Sequence, residues 1–183
     1  MSATPASAAR PTEPENPHRA IRIIKIVVNA GVGESGENRT KAEKVLEMIT
    51  HQKPVATRAR STNRDFGIRK GQEIGAKVTL RGAVAVEFLG RAFEARDRQL
   101  DVESIDRNGN FSFGIADYTD FTGMKYDPRI GIHGMDVAVE LGRAGYRVRQ
   151  RRSQPRPIPR SIRSTPAETR AFLETAFRVN VVE

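Results

Sequence analysis

The sequence predicts an α+β fold: an antiparallel sheet with helices packed on one face, in two layers, plus a basic loop and a C-terminal helix. Three observations lead there. Several segments alternate apolar and polar residues with the period of a half-buried strand. Between them lie segments with apolar residues at helical spacing. A basic region, residues 53–81, reads as strand, loop, strand.

That region is KPVATRARSTNRDFGIRKGQEIGAKVTLR. In its first strand Val55, Thr57 and Ala59 alternate with Ala56, Arg58 and Arg60. In its second, Ile74, Ala76, Val78 and Leu80 alternate with Gly75, Lys77, Thr79 and Arg81, so one face is apolar and the other carries two cations and a hydroxyl. The loop between them, residues 61–72, gathers Arg64, Arg69 and Lys70 around a single aromatic, Phe66. No catalytic constellation is present. A positively charged sheet face beside a basic, Gly-containing loop suits an extended polyanion, which makes nucleic acid the first reading.

The distribution of charge supports this. The 183-residue chain has a net charge of +9. Residues 53–77 hold +5 and residues 143–163 hold +8, leaving −4 for the remainder. The positive charge is local, as two binding surfaces require. The absence of Cys excludes disulfides, thiolate metal sites and a cysteine nucleophile, and is compatible with a reducing compartment. No apolar run approaches the roughly 20 residues that span a bilayer, and no segment resembles a signal peptide, so a soluble cytoplasmic protein with no membrane partner is expected.

In chain order, residues 1–17 are rich in Ala, Ser, Pro and Thr and read as a disordered tail. Residues 21–29 form a strand with Ile24, Ile26 and Val28 on one face and Ile23, Lys25, Val27 and Asn29 on the other. AGVGESG follows, and its glycines spell the G-x-G-x-x-G of a phosphate-binding turn. Glu34 and Glu37 would repel a phosphate there. The acid expected about 20 residues on, for a ribose, is replaced by VATRAR. Arg58 or Arg60 facing a phosphorylated ribose has no other support, so the segment reads as a tight turn, with a nucleotide-dependent enzyme as the alternative.

Residues 38–50 follow as a helix with Ala42, Val45, Leu46 and Ile49 on one stripe, closed by His51-Gln52-Lys53-Pro54. His18, His51 and His133 are too isolated to make a metal site. A second helix runs from Gly82 to about residue 96 on Ala85, Phe88, Leu89, Ala92 and Phe93. Asn108-Gly109 marks a turn into a strand at 110–115. Phe111 and Phe113 share a face of that strand, either to stack on bases or, the preferred reading, to pack under the second helix. An irregular loop at 117–129 leads to a strand at 131–141 with Met135, Val137 and Val139 on one face.

Residues 143–163 carry eight Arg, three Pro and no acid, so they are expected to lack structure alone and to order against phosphates, with Arg147, Arg149, Arg151, Arg152, Arg156 and Arg160 as the contacts. Thr165-Pro166-Ala167-Glu168 is a capping box with Pro at the first helical position. The helix it opens presents Phe172, Leu173, Ala176 and Phe177, and a short strand at 178–182 ends the chain.

The strings NPHRAIRIIKIVVNAGVGESG, KPVATRARSTNRDFGIRKGQEIGAKVTLRG, NGNFSFGI, KYDPRIGIHGMDV and GYRVRQRR together resemble the universal large-subunit ribosomal protein five family in its archaeal form. The resemblance covers nearly everything after Asn16. It implies one α+β RNA-binding domain over 18–183, RRM-like in its two layers and including the basic arm at 143–163. Its antiparallel sheet would bind 5S rRNA through Asn29, Gln52, Phe66 and Thr79. Lys53, Thr57, Arg58, Arg60, Lys77 and Arg81 are the neighbouring rRNA-binding candidates. It also implies that residues 62–71 protrude to touch transfer RNA in the peptidyl site, with Thr62, Asn63, Arg64, Arg69, Lys70 and Gly71 as the contacts. The implied partners are 5S rRNA, large-subunit rRNA of the central protuberance, P-site tRNA and neighbouring large-subunit proteins. No cofactor, metal or catalytic residue is implied. Members usually carry Gly where this chain has His51, and residues 62–65 vary among them. Besides the enzyme, a free RNA chaperone with the same sheet chemistry is a rival reading.

Overall fold

The computed structural model describes residues 18–33 and 36–182; the tail expected at 1–17 lies outside the described residues. Its strands are β1 (Arg22–Gly31), β2 (Val55–Arg58), β3 (Glu73–Leu80), β4 (Gln99–Asp101), β5 (Phe111–Ile115), β6 (Met135–Gly142) and β7 (Asn180–Val182). The helices are α1 (Glu37–Thr50), α2 (Ala83–Glu94), α3 (Arg147–Gln150) and α4 (Pro166–Phe177). Five strands form one sheet in the order β2-β3-β1-β6-β5, and every neighbouring pair is antiparallel. The order β2-β3-β1-β6, with α1 after β1 and α2 after β3, is the split βαβ arrangement expected of an RRM-like protein. β5 extends it on the β6 edge.

The buried face of the sheet is Ile26, Val28 and Ala30 of β1, Ala76, Val78 and Leu80 of β3, and Met135, Val137 and Val139 of β6. Against it lie the predicted stripes of α1 and α2, each fully buried. Phe111 and Phe113 point into this core, with ring centroids 6.0 and 5.3 Å from Phe93 of α2. The packing reading of these two rings therefore holds, and base stacking is excluded for them.

Four details differ from the sequence reading. The pairing of β1 with β6 shifts between Ile23 and Lys25, and this bulge turns Ile23 toward the core while Ile24 lies against Gly142 on the opposite face. The expected 131–141 strand starts only at Met135, because Gly131 adopts φ 82° and turns back to bond Asp127 O. In α4 the buried positions are Thr169 and Leu173, whereas Ala176 is exposed; the Thr169 hydroxyl donates to Gly109 O at 2.9 Å. A two-stranded parallel sheet of β4 and β7 was not foreseen on the β4 side. Asp97 and Arg98, both with positive φ, end α2 and turn the chain into β4, three residues too short to show periodicity.

The basic segment also departs from expectation, since it is tied to the body at both ends. The Tyr146 hydroxyl accepts from Ser164 N at 3.0 Å and donates to Ile162 O at 3.3 Å. The Tyr146 ring lies over Gly142, where an added Cβ would stand 2.7 Å from Cδ2, so only glycine seats it. Arg143, nearly buried, pairs with Glu168 and donates to Ile162 O at 3.3 Å. Like charge alone would unfold such a run. Two tethers and the restricted backbone of Pro155, Pro157 and Pro159 oppose it.

Two outcomes follow for stability. His51 ends α1 in the left-handed region, φ 53°, where a side chain is strained and glycine is not. His51→Gly is expected to stabilise the protein by about 0.5–1 kcal/mol in denaturant unfolding, the relieved strain exceeding the added chain entropy. For Glu168, partial burial raises the carboxyl, but the Thr165 amide, the Arg143 guanidinium and the Thr165 hydroxyl together hold it below its ordinary value. A carboxyl depressed by folding stabilises above its unfolded pKa and loses that contribution as pH falls through the folded value. Because Glu168 is 43% exposed, Glu168→Gln should cost under about 1 kcal/mol at pH 7, and the gap to the native protein should close below about pH 4.

Candidate nucleic-acid interface

No helix covers the second face of the sheet among the described residues. Cross-strand register lays its side chains in rows. Val55, Lys77, Asn29, Asp136 and Gly114 form one row across all five strands. Thr79, Val27, Ala138 and Ser112 form the next. Thr57 faces Gly75 in the row beyond Asn29, with its hydroxyl on the open side. At about 4.8 Å between strands, the Asn29 row spans roughly 19 Å. The predicted residues Asn29, Thr57, Lys77 and Thr79 thus sit together on one surface.

This surface is not the positively charged face expected from β1 and β3 alone. Asn29 lies between Lys77 on one side and Asp136 on the other, and Lys25 Nζ pairs with Glu140 at 3.0 Å. The acids come from β6, so the centre of the face is close to neutral. Small side chains from β5 and β6 (Ser112, Gly114, Ala138) keep it low, and over Ser112 and Ala138 it dips into a hollow of about 310 Å³. These residues and the two acids were missed by the sequence reading. Their signal was present, since they alternate with the apolar residues of NFSFGI and MDVAVELG.

The cations stand at the edges. The loop expected at 61–72 is an ordered extension of the β2–β3 hairpin. Ala59 N donates to Gln72 O at 2.8 Å, and Asn63 and Ile68 exchange backbone hydrogen bonds at 2.8 and 2.9 Å. Residues 64–67 close a tight turn through Gly67 N to Arg64 O, with Gly67 at φ 65° and the Asn63 carboxamide accepting from Asp65 N. Thr62 Oγ1 accepts from Lys70 N at 3.0 Å, and Gly71, φ 85°, returns its N–H to Ala59 O. The turn lifts Phe66 to 75% exposure, too far for a core aromatic, and leaves Arg60, Arg64, Arg69 and Lys70 exposed around it. Thr62 and Asn63 therefore shape the hairpin from within, while the cations face outward. Arg58 at its base shares Glu73 with Arg39, at 3.5 and 3.4 Å.

Gln52 and Lys53 are exposed in the turn between α1 and β2, and Arg81 is exposed just past the end of β3. The arm leaves the end of β6, at the same end of the strands as Arg81 and opposite the hairpin, and Arg147, Arg149, Arg151, Arg152, Arg156 and Arg160 are exposed along it. The structure therefore gathers Asn29, Thr57, Lys77 and Thr79 on one face, with Gln52, Lys53, Arg58 and Arg81 at its edges, but carries Arg60 and Phe66 away from it along the hairpin and sets the arm apart from the hairpin.

The glycine turn does not form a dinucleotide site. Such a site needs β1 and the strand after α1 parallel and adjacent, but β2 is separated from β1 by β3, and every pair in this sheet is antiparallel. Instead Val32 N and Gly33 N both donate to Ile74 O, at 3.1 and 2.9 Å, closing the turn on β3. Glu34 lies outside the described residues. Among the described residues there is no group of His, Cys, Asp and Glu able to hold a metal ion.

Comparison with known proteins identifies the family. The family model described as ribosomal protein L5 matches residues 16–69, and that of the ribosomal L5P family C-terminus matches residues 73–175. The chain is 52% identical over 169 residues to large ribosomal subunit protein uL5 of Picrophilus torridus, covering 92% of this chain and 96% of that protein. It is 52% identical over 168 residues to uL5 of Thermoplasma acidophilum, covering 91% and 99%. For uL5 of Sulfurisphaera tokodaii the identity is 47% over 173 residues, covering 94% and 98%. An uncovered antiparallel face, a structured basic hairpin and matches over almost the whole described chain lead to one conclusion: this chain belongs to the ribosomal protein L5 family, whose members are ribosomal proteins and not enzymes.

Proposed function

We propose that the chain is a structural protein of the large ribosomal subunit that binds 5S rRNA through its open sheet face. In the same reading it joins that RNA to large-subunit rRNA in the central protuberance, and it touches P-site tRNA with the 62–71 hairpin. The observation that carries the reading is the row in which Asn29 stands between Lys77 and Asp136, beside Thr79 on the next row, with nothing folded over it. Amides, hydroxyls and small side chains suit the shallow minor groove of RNA, where 2′-hydroxyls and base edges are displayed. Phosphate contacts fall to the rim: Lys53, Arg58, Arg60 and Arg81. Phosphates position a complex and base or sugar contacts specify it, so this separation matches a partner recognised by shape and local sequence.

The hairpin has the opposite character. Apart from the Phe66 ring, which falls to 5S rRNA, it presents the cations Arg64, Arg69 and Lys70 on a frame fixed by backbone hydrogen bonds, which suits a partner whose sequence changes while its backbone does not. Transfer RNA in a ribosomal site is such a partner.

Asn29→Ala and Phe66→Ala should each weaken 5S rRNA binding, the latter by on the order of 1–3 kcal/mol if the ring stacks on a base. Filter binding at fixed salt checks this, and unchanged affinity in both proteins would remove 5S rRNA from the reading. The hairpin is tested separately. Arg64→Ala with Arg69→Ala should leave incorporation into subunits near normal while weakening P-site tRNA binding and flattening its salt dependence. Failed assembly with normal tRNA binding in the surviving subunits would make the hairpin an assembly contact instead.

A further inference from the structure

Where the arm returns past the end of the sheet it closes a second pocket, of about 420 Å³. Glu140 and Asn110 line both this pocket and the hollow over Ser112, so the open face runs directly into it. Tyr146, Pro157 and Ile158 give it apolar walls, and Arg149 and Arg163 give it two cations. Its shape is held from within. The Tyr146 hydroxyl is engaged by Ser164 N and Ile162 O, and Arg163 Nε donates to Ile158 O at 3.2 Å, locking that cation to its wall.

The floor has a defined polarity. Asn110 Oδ1 accepts from Leu141 N at 3.1 Å, which leaves its amide N–H groups as donors. Glu140 uses Oε2 on Lys25, and its Oε1 has no partner among the described residues. An ionised carboxylate only accepts. The pocket therefore offers an apolar slot, a donor beside an acceptor on the floor, and cations at the rim.

We propose that this pocket takes one unpaired RNA guanine nucleotide, its base between Tyr146 and the Pro157–Ile158 wall and its flanking phosphates on Arg149 and Arg163. The size is that of a small-ligand site, and flat apolar walls stack any unstacked base. Guanine is selected by the floor, because it alone presents two adjacent N–H donors to a carboxylate with an acceptor, O6, alongside for an amide. The occupant is RNA and not an acidic protein, because the arm carries eight Arg and no acid and the pocket continues the face already assigned to RNA. This inference rests on that reading of the face.

The test uses the full chain and two RNA hexamers, UUGUUU and UUUUUU, followed by NMR of the Ile158 methyls and the Tyr146 ring at low salt. UUGUUU should shift both signals saturably and bind at least tenfold more tightly than UUUUUU. Inorganic phosphate should move only signals near Arg149 and Arg163. Ile158→Trp, which fills the slot and keeps every cation, should lose at least tenfold in UUGUUU affinity while its unfolding midpoint stays at the native value. Glu140→Gln should abolish the preference for guanine without unfolding the protein. Equal affinity for the two hexamers, or native UUGUUU binding by Ile158→Trp, would overturn the pocket and leave the arm as a general phosphate contact. A native chain that binds UUGUUU as expected but not 5S rRNA would support the pocket and remove the 5S reading.

Discussion

Helices cover only one side of the sheet, and the rest of the structure depends on that asymmetry. β1 is hydrogen-bonded on both edges, so its register is set twice. A slip of one residue would drive Asn29 and Lys77 into the packing of α1 and α2 and expose Val28 and Val78. An unpaired buried ammonium or amide costs several kcal/mol. The core thus fixes the open face indirectly: Val28 and Ala30, buried on either side, aim Asn29 outward at one height above the sheet. No polar network is needed to hold Asn29 in place, whereas Lys25 and Arg58 are paired with Glu140 and Glu73.

The same asymmetry separates two kinds of electrostatics. At the centre of the face, positive and negative side chains sit on adjacent strands, close enough to cancel at distances beyond a Debye length of about 8 Å. At the rims the hairpin and the arm carry their Arg residues outward with few acids nearby. A polyanion approaching from afar meets the rims first, and only on contact meets the amide, hydroxyls and small residues between them. On the proposed function, steering and discrimination fall to different side chains.

Much of this was legible from sequence. Period two gave β1, β3, β5 and β6, and helical spacing gave every apolar residue of the buried stripes of α1 and α2, though not the buried Thr50 at the end of α1. Thr165 and Glu168 named the start of α4 because a capping box is a purely local device. What escaped detection depended on partners distant in sequence. Nothing in IRIIKIVVN shows that a bulge opposite Glu140 will exchange Ile23 and Ile24 between faces. The neutralising acids of the open face lie in β6, over a hundred residues from Asn29 in β1, so charge counted along one segment overstated the local field. β4 exists because β7 pairs with it, and three residues carry no period of their own.

The arm shows most clearly why composition alone misleads. Eight cations without an acid predict an unstructured chain, yet one buried guanidinium and one tyrosine reverse the outcome. Arg143 lies under the others and spends its charge on Glu168 and a backbone carbonyl, so it belongs to the fold and not to the binding surface. Tyr146 needs a glycine beneath it, which β6 supplies as its last residue. With both ends fixed and three prolines between, the remaining Arg side chains lose less freedom when they meet phosphates than the same residues would on a free tail. Preorganisation of this kind strengthens binding without adding a contact. On the proposed function, salt that screens the rims would weaken the arm and hairpin together and leave the neutral face as the part that still discriminates.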